Sequence, residues 1–446
     1  MKPTSLHLFA GLGGGSLGFK QAGFRSVGNV DSDFEACADL EHLTGEPATC
    51  VDIAAMTPAD LLEITGGERP DVVFTSPPCK AFSGCLPKAA SRSAKYLELS
   101  NLSQLGIWLA LEAWADSPPP LIIMENVPRI QTRGREWLDQ TEKMLRAYGY
   151  ATSETTHDCG HLGGLAQSRR RFLLVARHME QVPEFLYEPP RLPLLGVGEI
   201  FRHLPIPLPD SDAGGDMHRL PRLSAMNWLR LALIPAGGDW RDLPEEAQLT
   251  CSPRATAYGV VGWDGSAGTV VGAACHDNGG YSVADPRLEH EPRRGGHGVR
   301  GWEDHSHTVI GDPRTCKGFN VADGRPEIYT HEVNGADIFG PTLVLESRRS
   351  AKPVPIICAT DATWHRPMTT LELAALQGFP TKIGGEWLRL EGGSHKRWRQ
   401  RIGNAVPPPA ARAIAVSCLR TLEAAHNEGF LMCGQPVWVA PRSVSI

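Results

Sequence analysis

No two of the 11 cysteines are spaced as Cys-x-x-Cys, no apolar run reaches membrane length, and no excess of positive charge announces a nucleic-acid partner. Without paired cysteines a structural zinc site is not expected, and in a reducing compartment the cysteines should be free thiols. His157-Asp158-Cys159-Gly160-His161 is the one metal-like cluster, and with no second cluster at metal spacing it reads as loop, so no metal site is assigned. With a net charge of −6, nucleic-acid binding must use local basic patches rather than the field of the whole chain. Met1-Lys2-Pro3-Thr4 leads straight into a strand-like Leu6-His7-Leu8-Phe9 with no signal-peptide pattern, so a cytoplasmic protein without a membrane anchor is expected. The 41% hydrophobic and 21% charged residues are those of an ordinary globular chain, and 446 residues suggest two domains.

What is present is organised around Thr75-Ser76-Pro77-Pro78-Cys79-Lys80-Ala81-Phe82-Ser83. It follows Asp71-Val72-Val73-Phe74, a short apolar run that reads as a buried strand. Two prolines end the strand and stiffen its exit, since neither has an N–H to donate. That stiff exit then presents Cys79. A thiolate is a strong nucleophile near neutral pH, and open α/β sheets place their chemistry at the carboxyl ends of strands.

Upstream, Leu8-Phe9-Ala10-Gly11-Leu12-Gly13-Gly14 reads as strand, glycine turn and helix start, a general nucleotide-type site. The next strand, Phe24 to Val30, ends in Asp31-Ser32-Asp33. An acid there can accept hydrogen bonds from ribose hydroxyls, or it can cap the helix that starts near Phe34, and Asp31 and Asp33 can divide these roles. That helix is expected over Phe34 to Leu43, and Cys50-Val51-Asp52-Ile53 looks like a short third strand end. Residues Ser83 to Ser100 are polar and read as a long lid-like loop, followed by a helix from Asn101 to Ala115 with apolar spacing at Leu102, Leu105, Trp108 and Leu109. Leu121 to Met124 is a buried strand, with Glu125-Asn126-Val127 at its end. Glu125 is thus a second reactive group at a strand end, suited to proton donation. In Gln167-Ser168-Arg169-Arg170-Arg171, a strand would put Arg169 and Arg171 on one face, which suits an anionic or carbonyl-bearing substrate.

From about Glu180 proline and glycine become dense and long helices vanish. Here Tyr258-Gly259-Val260-Val261-Gly262-Trp263-Asp264 with Gly268-Thr269-Val270-Val271-Gly272 matches His297-Gly298-Val299-Arg300-Gly301-Trp302-Glu303 with His307-Thr308-Val309-Ile310-Gly311. Val283-Ala284-Asp285 matches Val321-Ala322-Asp323 in the same way. So few copies do not make a solenoid; they read as duplicated β-units on a binding surface, with arginines near the second copy suited to phosphates. Farther on, Thr369 to Glu372 is a capping box, and Gly403-Asn404-Ala405-Val406-Pro407-Pro408 precedes a last helix.

Taken in this order, the pieces resemble the C5-cytosine DNA methyltransferases, over about the first 177 residues and again from Arg366 to about Leu422. The glycine turn looks like that family's S-adenosylmethionine loop, Pro78-Cys79 its catalytic Pro-Cys, Glu125-Asn126-Val127 its Glu-Asn-Val, and Gln167 to Arg171 its Gln-x-Arg-x-Arg. Arg366 to Pro380 and Gly403 to Pro408 look like its ninth and tenth motifs. Three positions depart: Lys80 stands where the family usually has Gln, Asp31 where it has Glu, and Ala166 where it has Pro. The Lys80 cation beside Cys79 either favours the thiolate or marks an unusual substrate or donor.

The resemblance implies an α/β class I methyltransferase fold, a doubly wound, mostly parallel sheet, with a smaller, mainly β and irregular target-recognition domain. It assigns 1–179 to catalysis and cofactor binding, 180–352 to target recognition, 353–425 to a closing segment whose last helix returns to the catalytic domain, and 426–446 to a tail. Cys79, Glu125, Arg169 and Arg171 would be catalytic. Phe9, Ala10, Gly11, Leu12, Gly13, Gly14, Asp31, Asp52, Ile53, Pro77, Asn404 and Val406 would hold S-adenosylmethionine. Lys80, Ser83, Gln167, Thr269, Arg300 and Thr308 would meet DNA. It further implies duplex DNA as partner, a separately acting restriction endonuclease, a monomer, and a bacterial or phage-encoded cytoplasmic enzyme working at the nucleoid. The rivals are an RNA cytosine methyltransferase, a binding protein that has lost catalysis, and a thiol hydrolase, for which no motif supplies the histidine base.

Overall fold

The computed structural model describes residues 2–78, 82, 94–182, 188–208, 211–244, 256–288, 299–301, 320–322, 356–359, 361 and 363–426. The first half alternates strand and helix: β1 (Thr4–Leu8), α1 (Gly14–Gln21), β2 (Arg25–Asp31), α2 (Phe34–Thr44), β3 (Thr49–Cys50), α3 (Pro58–Ile64), β4 (Val72–Thr75) and α4 (Ala94–Ala113). It continues through β5 (Leu121–Asn126), α5 (Ile130–Arg133), α6 (Arg135–Ala147), β6 (Tyr150–Asp158), α7 (Cys159–Gly163) and β7 (Arg170–His178). These strands form one seven-stranded sheet in the order β3-β2-β1-β4-β5-β7-β6. The strands from β3 to β5 are parallel, and β7 runs antiparallel to both β5 and β6. The chain reverses its direction of growth between β1 and β4, and the crevice at such a reversal is where this architecture binds ligands.

Side-chain alternation explains why both faces are covered. Leu6, Leu8, Val73, Ile122 and Met124 pack with Leu61 of α3, Ile107 and Leu111 of α4, and Leu138 and Leu145 of α6. The alternate residues Val72, Phe74, Leu121 and Ile123 pack with Phe19 of α1 and with Ala410, Ile414 and Cys418. Those last three belong to the final helix, so the end of the chain returns to cover a sheet built by its beginning.

Two expectations are corrected. The segment before Asn101 is not all loop, because α4 already begins at Ala94. Ala, Lys, Leu and Glu are good helix formers, and polarity alone does not exclude a helix. The sheet also extends further than the apolar run indicates: Glu125 and Asn126 lie inside β5, opposite Leu173 and Phe172 of β7. The third strand is only Thr49–Cys50, after which Asp52 caps a short 3-10 turn over Ile53–Ala55.

The second half contains α8 (Val197–Phe201), α9 (Ala225–Ala232), β8 (Val260–Val261), β9 (Ser282–Ala284), β10 (Val299–Gly301), β11 (Asn320–Ala322), β12 (Ile357–Cys358), β13 (Trp364–Pro367), α10 (Thr370–Leu376), α11 (His395–Asn404) and α12 (Pro408–His426). The sequence repeat is a repeat of register. Val260 and Val261 pair in parallel with Ser282 and Val283, and their counterparts Val299 and Arg300 pair with Asn320 and Val321. A second sheet, β12-β13-β9-β8, joins strands from both sides of position 352. Among the described residues no helix is long and apolar enough to cross a membrane.

An ionic cluster holds this second sheet to α10. Arg366, fully buried, reaches Glu372 at 2.6 Å and Asp285 at 2.8 Å. Arg287 shares Asp285, donates to the carbonyls of Phe201 and Leu204 at 2.7 and 3.0 Å, and lies over the Trp263 ring. Burial pushes the Asp285 and Glu372 carboxyls up, but the guanidiniums outweigh it and hold both below the usual carboxylate range. Carboxyls depressed on folding add stability above their unfolded values, about 4, and lose it as pH falls through the lower folded values. Arg366→Met strands two buried charges and should cost about 3–5 kcal/mol in urea unfolding at neutral pH. Its acid-unfolding limb should also move to higher pH than that of the unaltered protein.

Candidate active site

The site lies at the carboxyl edge of the sheet, where β1 and β4 adjoin. Phe9, just past β1, has φ 54°, a conformation that non-glycine residues rarely adopt and that clusters at functional sites. Its carbonyl accepts from the Ser76 hydroxyl at 3.0 Å, which ties the glycine turn to the exit of β4. Ala10 donates to the Val30 carbonyl at 2.9 Å, and Gly11 donates to the Asp31 carboxylate at 2.7 Å. Asp31 also accepts from the Asp33 amide at 2.9 Å, while Asp33 caps α2 through the Glu35 and Ala36 amides. Asp33 therefore takes the capping role expected of it, while Asp31 ties the glycine turn to the end of β2. Burial raises the Asp31 carboxyl, and the Asp33 and Gly11 N–H groups oppose it.

Ile53 is buried with Leu6, Leu8 and Val30, and Leu12 in the cluster that includes Leu371 and Leu376, while Asp52 is exposed and its carboxylate accepts from the Ala54 amide at 2.9 Å. From the far end of the chain, the Val406 carbonyl reaches Gly14 so closely that a Cβ there would overlap it. Only glycine permits that approach. Asn404 is exposed at the end of α11.

Beyond β4, the Pro77 carbonyl accepts from the Asn126 side-chain amide at 3.4 Å, and Asn126 in turn accepts from the Val127 amide at 2.8 Å. The end of β5 is thereby linked to the double-proline turn. Next to Asn126, Glu125 is 8% exposed and lies 2.9 Å from the Arg171 Nε on β7. Cys79, Lys80, Ser83 and Thr308 lie outside the described residues, and Arg300 is described only through its backbone in β10.

Arg169 corrects the expectation of two arginines facing one way. Strand β7 starts at Arg170, so two-residue alternation does not extend back to Arg169. Arg169 is 1% exposed and donates to the carbonyls of Val270, Gly403 and Ala405 at 2.8, 3.0 and 3.0 Å. Gln167 and Thr269 are likewise engaged inside the protein. The Gln167 amide donates to the Leu376 carbonyl at 3.0 Å and to the Gln377 side chain at 2.9 Å, and accepts from Val270 at 3.2 Å. The Thr269 hydroxyl donates to the Ser168 carbonyl at 2.9 Å. Ala267 bridges Gln167 as a one-residue strand pair. These three residues form the joint between the two halves. Sequence reasoning missed Gln377, whose amide donates to the Ile402 carbonyl at 2.6 Å, because no local pattern signals a partner 25 residues away.

Residues 4–204 and 266–420 match the sequence model of the family described as C-5 cytosine-specific DNA methylase. The chain belongs to this family. The type II methyltransferase M.HgiDI of Herpetosiphon aurantiacus is 33% identical over 177 residues, which are 39% of this chain and 52% of that relative. The type II methylase M.HgiDII of the same organism is 25% identical over 294 residues, 64% of this chain and 79% of that one. The fold is that of solved methyltransferase structures. The Entamoeba histolytica methyltransferase EhMeth matches at TM-score 0.56 and 12% identity, covering 96% of this chain and 99% of that one. The S. pombe Dnmt2 methyltransferase matches at TM-score 0.51 and 16% identity, covering 96% and 100%.

In this member of the C-5 cytosine-specific DNA methylase family the expected set therefore separates. Glu125, Arg171, Asp31 and the glycine turn gather at the sheet edge, while Gln167, Arg169 and Thr269 hold the molecule together. Arg169→Met should leave three buried carbonyls unpaired and cost about 3 kcal/mol in urea unfolding. Thr269→Val, which strands one half-buried carbonyl, should cost about 1 kcal/mol.

Proposed function

We propose that the chain is a DNA (cytosine-5)-methyltransferase that uses S-adenosylmethionine, with Cys79 as nucleophile. The observation that carries this reading is the Glu125–Arg171 pair, set beside Asn126, whose amide bonds the very proline turn that leads into Cys79. A carboxylate and a guanidinium beside the turn that leads into a cysteine suit a base that must be attacked at one atom and polarised at others.

The cofactor site fits a nucleoside without phosphates. The turn from Phe9 to Gly15 carries no lysine or arginine, and Asp31 and Asp33 would repel a polyphosphate. Asp31 would accept from ribose hydroxyls, Phe9 would contact the adenine, and Asp52 and Ile53 would meet its edge. Leu12, Gly13, Pro77, Asn404 and Val406 would complete the pocket. When bound, S-adenosylmethionine supplies a methyl group made electrophilic by its sulfonium.

Cytosine C5 alone is too weak a nucleophile to take that methyl. Addition of the Cys79 thiolate to C6 pushes electrons onto C5 and N3, and Glu125 donates a proton to N3 as charge develops there. C5 would then bond the methyl as that group's bond to the cofactor sulfur breaks, leaving S-adenosylhomocysteine; the C5 proton would pass to water, the N3 proton would return to Glu125, and the C6–sulfur bond would break to release the Cys79 thiolate. Arg171 would hold Glu125 and the base carbonyl. A cytosine inside a duplex must leave the stack for this chemistry, with the segment around Phe82 to Ser100 as lid and 180–352 as the recognition domain. Lys80, Ser83, Arg300 and Thr308 remain its proposed DNA contacts. The type II relatives support a modifying role alongside a restriction endonuclease.

A duplex containing 5-fluorocytosine tests the reading, because the methylated base has no C5 proton to lose and Cys79 stays attached. A denaturation-resistant adduct that needs S-adenosylmethionine is expected with the unaltered protein and not with Cys79→Ser. Cys79→Ser should also lower turnover by a factor of at least about 10³. Undiminished turnover in that variant, or an adduct on tRNA and none on duplex DNA, would sink the proposal.

A further inference from the structure

The two ends of the cofactor pocket come from opposite ends of the chain, and a second ionic cluster joins them. Helix α2 begins three residues after Asp31 and carries Glu35, half-buried, and Asp39, buried. Helix α11 ends at Asn404, and Arg401 lies in its last turn. Arg401 is 6% exposed. Its Nη1 pairs with the Glu35 carboxylate and its Nε lies 2.6 Å from an Asp39 oxygen. Its remaining amino group donates to the Glu391 carbonyl, while the Glu391 amide donates to the other Asp39 oxygen at 2.6 Å. Trp398 also donates to that carbonyl, at 2.9 Å. Arg397, on the exposed side, pairs with Glu35 at 2.7 Å.

One guanidinium thus fixes three segments: the helix led by the cofactor acid, the strap around Glu391, and the helix that delivers Asn404 and Val406. Burial pushes the Asp39 carboxyl up to about 6 against the pull of the Glu391 N–H and of Arg401. Glu35 is held below the usual range because Arg397 and Arg401 together outweigh its desolvation.

We infer that Arg401, latched to Glu35 and Asp39, is a positioning residue that sets cofactor affinity by holding the Asn404–Val406 turn over the pocket opened by Asp31. The inference rests on the S-adenosylmethionine reading above. The latch touches neither the end of β5 nor the turn leading to Cys79, so its effect should fall on cofactor binding and not on the chemical step. Arg401→Met should weaken S-adenosylhomocysteine binding, measured by calorimetry, about tenfold, and raise the KM for S-adenosylmethionine to match. Its kcat at saturating cofactor and its KM for DNA should stay within about twofold. Arg401→Lys keeps the charge without the fork and should fall between. Arg397→Ala should change affinity by about twofold or less, as expected for an exposed pair.

Should Arg401→Met not fold, Glu35→Gln provides the milder break, with a several-fold loss of S-adenosylhomocysteine affinity expected. Adding Asp39→Asn to Arg401→Met should restore thermal stability without restoring affinity, which separates positioning from folding. Equal binding by the unaltered protein, Arg401→Met and Glu35→Gln would overturn the latch alone. Failure of the unaltered protein to bind S-adenosylhomocysteine would instead remove the cofactor reading on which the latch rests.

Discussion

Gln167 and Arg169 sit at the crossing of four chain segments, and everything at the carboxyl edge of the sheet depends on how they are satisfied. Between them they bond the carbonyls of Val270, Leu376, Gly403 and Ala405 and the side chain of Gln377. Each carbonyl ends a helix or crosses a loop, so no ladder partner is available for it. Leaving such groups unpaired in a dry interior costs more than making the bond gains. A planar fork with several fixed donors is the side chain that can serve three oxygens at once. The backbone at the crossing is tight enough that a Cβ on Gly403 would overlap the Gly272 amide. Little movement of these segments is possible without breaking the set.

From that crossing the site follows by geometry. Fixing Arg169 fixes the entry to β7, and two residues later Arg171 meets Glu125 on the neighbouring strand. Asn126 then reaches back to Pro77, and Ser76 reaches Phe9. The reactive groups thus hang on a chain of short contacts that runs across β7, β5, β4 and β1. The same crossing holds Gly403 and Ala405, the flanks of Asn404, against the start of α1. The glycine turn, Glu125 and the proline exit share one frame, which is what the proposed transfer between two bound reactants needs.

Much of this was legible in the sequence, and what was not has a common cause. The alternating strands, the cap at Asp33, the capping box at Thr369 and the order of the motifs all depend on neighbours within about ten residues, where period and turn chemistry act directly. The end of β5 was misjudged because Glu125 and Asn126 are polar, yet they are paired to β7, which lies beyond local reach. The partners of Arg169, Gln167 and Thr269 were hidden for a different reason. A guanidinium, an amide and a hydroxyl suit a base edge or a phosphate, and they suit a stranded backbone carbonyl equally well. Residue type gives the donor; only the fold gives the acceptor.

The duplicated unit carries that argument furthest. Both copies fold their paired strands in the same register, so duplication preserved the scaffold: Val260↔Ser282 in one, Val299↔Asn320 in the other. In the first copy, however, the residues between the strands are engaged by the rest of the protein. Trp263 lies beneath Arg287, Ala267 pairs with Gln167, Thr269 bonds Ser168, and Asp285 neutralises Arg366. At the position of Val261, half-buried in the first copy, the second has Arg300. A shared motif therefore specifies how a strand pair forms and not what its connecting loop will touch. Once one copy is committed to the interior joint, its threonine and tryptophan follow the packing constraints of that joint.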